Sequence, residues 1–254
     1  TCALPIWYEE PPEKYYFKGD GSAGKGFTKI KDKYYYFDKK NRLLSGWNEI
    51  GGNVYYFGRG GVVADGWEDI DEDTYYFDKK THVAATGWTN TDQYTDDEKK
   101  KIKEFKSNVS KLVKFEKGDY KKDEKPDEKE TQKLEEFADK FGEKTFNAYD
   151  RKVYEKFGGA VFYQYYFYSD HTLCTGFHKI NGYYFYFDEE TGKKATGWKT
   201  IDGKRYYFGL TGAAAVGEFE EDGDKKYTFS NEGVLADGIV KIDAEWKFKK
   251  EDGS

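Results

Sequence analysis

Apolar and polar positions along this chain recur with a period of 20 to 21 residues. A glycine followed by an aromatic stands at Gly26-Phe27, Gly46-Trp47, Gly66-Trp67, Gly87-Trp88, Gly176-Phe177 and Gly197-Trp198. Nine residues after each glycine, with Gly87 the exception, an aromatic triplet begins: Tyr35-Tyr36-Phe37, Tyr55-Tyr56-Phe57, Tyr75-Tyr76-Phe77, Phe185-Tyr186-Phe187 and Tyr206-Tyr207-Phe208. A period this short and this regular predicts a stack in which each unit buries its apolar face only against its neighbours. A ring pair repeated along such a stack makes a row of similar sites, which is the form of a multivalent binding module.

Within one period the pattern is that of a β-hairpin. Trp47-Asn48-Glu49-Ile50 alternates, Gly51-Gly52-Asn53 has turn composition, and Val54-Tyr55-Tyr56-Phe57 is rich in strand formers. A three-residue turn would set Ile50 opposite Val54 and Trp47 opposite Phe57. Trp47, Glu49, Tyr55 and Phe57 would then share one face, because strand side chains alternate. The other face would hold Ile50, Val54 and Tyr56. The stretch from Gly58 to Asp65 is the expected connector, with small residues such as Ala64, Ala85 and Ala195 where units approach closely.

One unit is interrupted. Gly87-Trp88 should be followed by a triplet near position 96, where Thr95-Asp96-Asp97-Glu98 instead reads as a helix-capping box. Ile102, Phe105, Val109 and Leu112 follow at helical spacing. A second helix is expected after Pro126, with Leu134, Phe137, Ala138 and Phe141 on one face. A third carries Phe146, Tyr149, Val153 and Phe157 before Gly158-Gly159. The period resumes at Tyr165-Tyr166-Phe167, with Gly176 at the normal interval. These helices therefore form an insertion at a hairpin tip, a place that tolerates added domains. The expected fold is mainly β: a β-solenoid of stacked hairpin repeats with a small three-helix insertion. Residues 1–94 and 160–254 form two parts of one solenoid, and 95–159 form the insertion. The pairing of Trp88's strand with Tyr165's is the test of this organisation.

Composition narrows the function. Aromatic residues make up 20% of the chain and the hydrophobic fraction is only 37%. That balance suits a thin fold whose tyrosines keep a polar tip at the surface. A formal charge of −6 argues against nucleic acid, which calls for a concentrated basic patch. No apolar run approaches the roughly 18 residues of a membrane span. Opening at Thr1 and lacking methionine, the chain reads as a mature or excised fragment. Cys174 falls where other repeats carry Leu44, Ala64, Ala85 and Ala195, and so reads as a buried packing residue.

Nothing here has the spacing of a catalytic or metal centre. The three histidines, His82, His171 and His178, form no such constellation. Asp69-Ile70-Asp71-Glu72-Asp73 alternates like the start of a calcium loop, without that loop's glycine and closing glutamate. The chain is therefore read as a non-enzyme that needs no cofactor and no metal. The candidate ligand-binding residues are Trp47, Trp67, Trp88 and Trp198, whose ring faces suit sugar stacking. Tyr55, Tyr75 and Tyr206 join them, on the face the predicted register gives to the Trp. The alternative use of these rings is hairpin-on-hairpin packing.

The phased glycine, aromatic and triplet resemble the cell-wall-binding repeat family, most closely along Ala195-Thr196-Gly197-Trp198-Lys199-Thr200-Ile201-Asp202-Gly203-Lys204-Arg205-Tyr206-Tyr207-Phe208. That family includes choline-binding modules, glucan-binding repeats and the repetitive oligopeptides of clostridial toxins. Choline-binding repeats typically place a Trp just before the tyrosine pair; here Tyr34, Val54, Thr74, Gln164, Tyr184, Arg205 and Lys226 stand there. The pattern is thus nearer the toxin and glucan-binding type. The resemblance implies a secreted or bacterial cell-surface protein that binds a glycan or cell-wall polymer through many weak sites. Two alternatives remain: a spacer whose segment 95–157 binds a protein partner, and a choline-dependent cell-wall anchor.

Overall fold

The structure is a computed structural model. It describes residues 4–91, 148–221, 225–236, 238–242 and 245–249, together with isolated helical positions between 100 and 132. The chain divides into two compact units, residues 1–87 with 167–173 and residues 88–166 with 174–254. Both are built from two-stranded antiparallel hairpins. In the first unit β1 (Ile6–Glu10) pairs with β2 (Glu13–Phe17), and β3 (Gly26–Ile30) with β4 (Lys33–Phe37). There β5 (Gly46–Ile50) pairs with β6 (Asn53–Phe57), and β7 (Gly66–Ile70) with β8 (Asp73–Phe77). Next in sequence, β9 (Gly87–Thr89) pairs with β10 (Tyr165–Phe167).

In the second unit β11 (Gly176–Ile180) pairs with β12 (Tyr183–Phe187), and β13 (Gly197–Ile201) with β14 (Lys204–Phe208). Finally β15 (Gly217–Glu221) pairs with β16 (Lys225–Phe229), and β17 (Gly238–Ile242) with β18 (Glu245–Lys249). The strand at Trp88 does pair with the one at Tyr165. The last hairpin breaks phase at Trp246-Lys247-Phe248: Gly238 opposes Lys249, and Phe248 opposes Ile239.

The turn is shorter than expected. Gly51 and Gly52 alone form it, both at positive φ (61° and 80°), so Ile50 opposes Asn53 and Trp47 opposes Tyr56. Two central residues at positive φ match the right-handed strand twist better than a longer loop does. One residue of register moves every side chain to the other face. Trp47, Glu49, Val54 and Tyr56 therefore share a face, whereas Tyr55 and Phe57 lie on the opposite one. The same correction applies to Tyr75 and to Tyr206, which oppose Glu68 and Lys199. Asp69–Asp73 is a hairpin tip, where the Thr74 hydroxyl donates to Asp69 at 2.8 Å.

A two-stranded hairpin is marginal alone, so stability must come from what lies between hairpins. The last ring of each triplet fills that space. Phe37, Phe57, Phe77, Phe167, Phe187, Phe208 and Phe229 are all at most 1% exposed. Each opposes a residue of the following loop, as Phe57 does Val63 and Phe208 does Ala214. That loop residue also donates its N–H to the preceding hairpin. Val63 bonds the Tyr34 carbonyl, Ala84 that of Val54, Leu173 that of Thr74, Ala214 that of Tyr184 and Leu235 that of Arg205, at 2.7 to 2.9 Å. The glycine before each aromatic opposes the buried Phe at positive φ. A Cβ on Gly46 would meet nothing, so dihedral angle and not space demands glycine there (φ 68°).

The third expected helix is present as α1 (Ala148–Phe157), followed by a 3-10 turn over Gly158–Phe162. α1 is the one helix whose bounds are described, against three expected. The two earlier helices lie outside the described residues. Asp150 of α1 is 1% exposed and reaches the loop after β14. It accepts bonds from the Thr211 hydroxyl (2.5 Å) and N–H (3.1 Å) and from the Leu210 N–H (3.3 Å). In other repeats an aspartate of the loop itself plays this part: Asp78 accepts from the N–H and hydroxyl of Thr81, and Asp188 from those of Thr191. The corresponding position here is Gly209, where a Cβ would lie 2.6 Å from the Asp150 carboxylate. The helix supplies the acid that this loop lacks.

The environments differ, and so do the protonation equilibria. Hydrogen bonds from Thr81 and Thr191 hold the Asp78 and Asp188 carboxyls below their ordinary value. Desolvation pushes Asp150 above 3.8 despite its bonds from Thr211 and Leu210 and the nearby Lys194. A carboxyl raised in the folded state binds its proton more tightly there than in the unfolded chain. Its stabilising contribution is complete below pH 3.8 and declines as pH rises through the folded value. The wild type's stability relative to Asp150→Asn is thus expected to be greatest at pH near 3.8 and to decline as pH rises, read by urea unfolding. Asp150→Ala, which strands the Thr211 donors, should cost about 1–3 kcal/mol. A wild-type advantage over Asp150→Asn that grows with pH would contradict this assignment.

Candidate functional site

Most hairpins place their first-strand aromatic beside their own middle triplet ring, whereas Phe177 of β11 stacks on Tyr184 at 5.5 Å. Ring centroids lie 5.0 Å apart for Phe27–Tyr36 and Trp47–Tyr56, 5.1 Å for Trp7–Tyr16, and 5.2 Å for Trp67–Tyr76 and Trp198–Tyr207. The next hairpin adds its leading triplet ring: Tyr35 reaches Trp7 at 5.2 Å, Tyr55 reaches Phe27 at 5.2 Å and Tyr75 reaches Trp47 at 4.8 Å. In the second unit Tyr206 reaches Phe177 at 5.0 Å, and Tyr227 reaches Trp198 at 4.9 Å. These tilted and edge-on pairs are the arrangements that ring quadrupoles favour. Each site is thus a three-ring cluster made by two successive hairpins.

The expected residues divide accordingly. Trp47 and Tyr75 meet, as neighbours from successive hairpins. Tyr55 meets Phe27, and Tyr206 meets Phe177, two aromatics absent from the expected set. Trp67 pairs with Tyr76 and with Phe167 at 5.8 Å. Trp198 pairs with Tyr207 and Tyr227. The leading tyrosines are floors: Tyr55, Tyr75 and Tyr206 are buried, and burial raises the phenol pKa of Tyr75 and Tyr206, with Asp73 and Asp202 respectively adding to it. Tyr75 and Tyr206 stay neutral donors at physiological pH. The missed partners carry no simple signal in the sequence, since Phe27 and Phe177 stand 28 and 29 residues before the tyrosines they touch and not one period of 20 to 21.

The clusters are not equally open. Trp47 is 40% exposed, and its indole is walled by Tyr56, Tyr75 and, stacked at 6.4 Å, His171. His171 has φ 73° at a loop position where other repeats use Gly, Asn or, at position 82, His, and its Nδ1 lies 3.1 Å from the Ala85 carbonyl oxygen. Trp88 is enclosed instead. Tyr166, Phe185 and, from the end of α1, Phe157 surround it at 5.0 to 5.8 Å. Lys194 places its Nζ 5.0 Å over the same ring while donating to the Val161 and Thr211 carbonyls. Other rings also carry a cation: Lys14 over Trp7 (5.2 Å), Lys29 over Tyr34 (5.6 Å), Lys179 over Tyr184 (4.8 Å) and Arg205 over Trp198 (4.7 Å).

Comparison with known proteins gives these clusters a context. Residues 195–238 match the model of the choline-binding repeat; residues 25–40, 45–62 and 175–192 match that of a putative cell wall binding repeat. No curated protein sequence matches the chain. Among solved structures, choline binding protein F from Streptococcus pneumoniae is similar with a TM-score of 0.57 at 22% identity, over 91% of this chain and 56% of that one. It has also been solved in the presence of a peptidoglycan analogue. CbpJ from Streptococcus pneumoniae TIGR4 is similar with a TM-score of 0.51 at 17% identity, over 98% of this chain and 93% of that one. The chain spans little more than half the length of the first of these. At such identities the likeness is one of fold.

The packing sets an order of access among the indoles. Oxidation by N-bromosuccinimide, followed by peptide mapping, is expected to modify Trp47 first and Trp88 last. Reaction of Trp88 no later than Trp47 would show that α1 does not shield it.

Proposed function

We infer, from a chain that carries repeats of the cell-wall-binding family, that it is a non-catalytic module held on a cell-wall polymer by several weak aromatic sites. The observation that carries this reading is the cluster at Trp47: an exposed indole, two phenol rings within 5.0 Å of it, and Glu49 on the same strand face. A ring face of this kind takes the apolar face of a sugar or a compact alkylammonium group. The residue before the tyrosine pair is here Val54 and adds no ring, but Tyr75 of the next hairpin supplies the wall that Val54 does not. The choline-type ligand is therefore compatible with this cluster, and Glu49 favours a cation over a neutral sugar.

The same reading takes the hairpins as one β-solenoid, with residues 1–94 and 160–254 contributing repeats and 95–159 inserted. The repeated N–H to carbonyl bond from loop to preceding hairpin supports it within each unit. A secreted or cell-surface location follows from what such repeats bind. Retention comes from several sites on one polymer, through effective concentration.

Trp47→Ala is expected to weaken sedimentation with purified bacterial cell walls by about tenfold or less, because the other sites remain. Millimolar choline should raise the melting temperature of the wild type and raise it less in Trp47→Ala. Walls that leave the wild-type chain in the supernatant would remove the proposal. A variant lacking residues 95–157 that stays folded yet no longer sediments would transfer the binding to the insertion.

A further inference from the structure

Among the described residues, eight repeats show a loop residue bridged to the buried phenylalanine, and in seven of them it is alanine, valine or leucine, as at Ala84, Leu173 and Ala214. Opposite Phe187 the same position is Lys194. Its backbone is ordinary: the N–H donates to the Gln164 carbonyl of the preceding repeat at 2.8 Å, as in the other covering loops. Its side chain departs from the pattern. It runs to the Trp88 cluster, sets Nζ 5.0 Å over the indole, and donates to the carbonyls of Val161 and Thr211.

The open cluster shows what this side chain replaces. Trp47 is flanked by His171, the positive-φ residue of the loop after the next hairpin but one. By the same count the residue flanking Trp88 is Gly212 (φ 82°), and a Cβ there would lie 2.6 Å from Cδ and Cε of Lys194. The lysine stem thus fills, beside Trp88, the place that His171 takes beside Trp47. Lys14, Lys29, Lys179 and Arg205 also lie over rings, but each stands on a strand. Lys194 comes from a covering loop and is half-buried. An ammonium withdrawn from water needs partners for its three donors. Two carbonyls and a π-face supply them here. The Val161 carbonyl lies in the 3-10 turn that follows α1, where helical dipoles favour a cation. Thr211 joins the opposite charges, giving its N–H and hydroxyl to Asp150 and its carbonyl to Lys194.

We propose that Lys194 is the resident cation of the Trp88 cluster, an internal alkylammonium ligand that fills a site of the kind Trp47 leaves open and fastens the end of α1 to the repeats. The proposal rests on the reading of these clusters as ammonium sites, and adds that one of them is occupied from within. Trp88 then offers nothing to a soluble ammonium group while Lys194 is in place, and becomes a site for one when the lysine side chain is removed.

The test is chemical rescue in the full chain. Alanine already stands at this loop position in other repeats, so Lys194→Ala keeps the loop and empties the site. The variant is expected to melt about 4 °C or more below the wild type. Excess n-butylammonium should raise its melting temperature by more than it raises that of the wild type, by mass action, whereas n-butanol, of the same length without the charge, should not. In nitrogen-15-labelled protein the Trp88 indole N–H resonance, assigned with Trp88→Phe, should shift with n-butylammonium in Lys194→Ala and stay fixed in the wild type. Lys194→Met, which keeps the stem, and Lys193→Ala, which removes the exposed neighbouring lysine, should gain no such response. Lack of any advantage of n-butylammonium over n-butanol in Lys194→Ala, whether in melting or in recovery of folded protein, would overturn the proposal. So would an equal response in the wild type. Sedimentation with walls is read separately: a wild type that sediments without rescue of the variant keeps the wall-polymer reading and loses this one, and rescue without sedimentation does the reverse.

Discussion

The burial of one phenylalanine per repeat is the constraint on which the rest of this structure depends. A hairpin of two five-residue strands has no interior of its own, so the closing ring of each triplet must be covered by the following loop. Phe77 and Phe208 are fully buried in this way. The loop that covers the ring then has its N–H aimed at the previous hairpin, and the glycine opposite it is held at positive φ. Hairpin pitch, loop course and glycine spacing all follow from covering that ring. The aromatic clusters are a by-product of the same geometry, because fixing one hairpin on the next brings a leading tyrosine against the previous aromatic.

Charged residues distinguish the ring clusters of this common scaffold. The clusters at Trp47 and Trp198 have nearly the same ring spacing, yet one is open beside Glu49 and the other is capped by Arg205. Trp88 shows a third outcome, in which α1 and Lys194 close around the ring. Shape is repeated along the chain through backbone bonds, while the surroundings of each ring cluster vary through single side chains.

α1 is tied to the repeats by substitution of a part and not by addition of a surface. Gly209 lacks the carboxylate that Asp78 and Asp188 use to hold their loops, and Asp150 provides it from the helix. The hydrogen bonds are similar, but burial reverses the direction in which the acid's pKa is shifted. One motif therefore responds oppositely to pH according to whether its acid comes from the loop or from α1.

The period, the hairpins, the buried triplet and the split unit were all legible in the chain, because each rests on local chemistry repeated in phase. Gly87-Trp88 and Tyr165-Tyr166-Phe167 could be matched across the insertion because strand pairing requires complementary halves, and only these two lacked a partner. Face assignment was not legible. Gly51-Gly52-Asn53 reads equally well as a two- or three-residue turn, and strand period turns that single residue into a complete exchange of faces. Nor could the sequence by itself show that Tyr75 serves Trp47 while Tyr206 serves Phe177, since that depends on which rings the stacking brings together. The capture of Gly209's loop by Asp150, 59 residues earlier in the chain, likewise belongs to tertiary structure alone. Repetition carries local information many times over, whereas a contact between one helix and one loop is written only once.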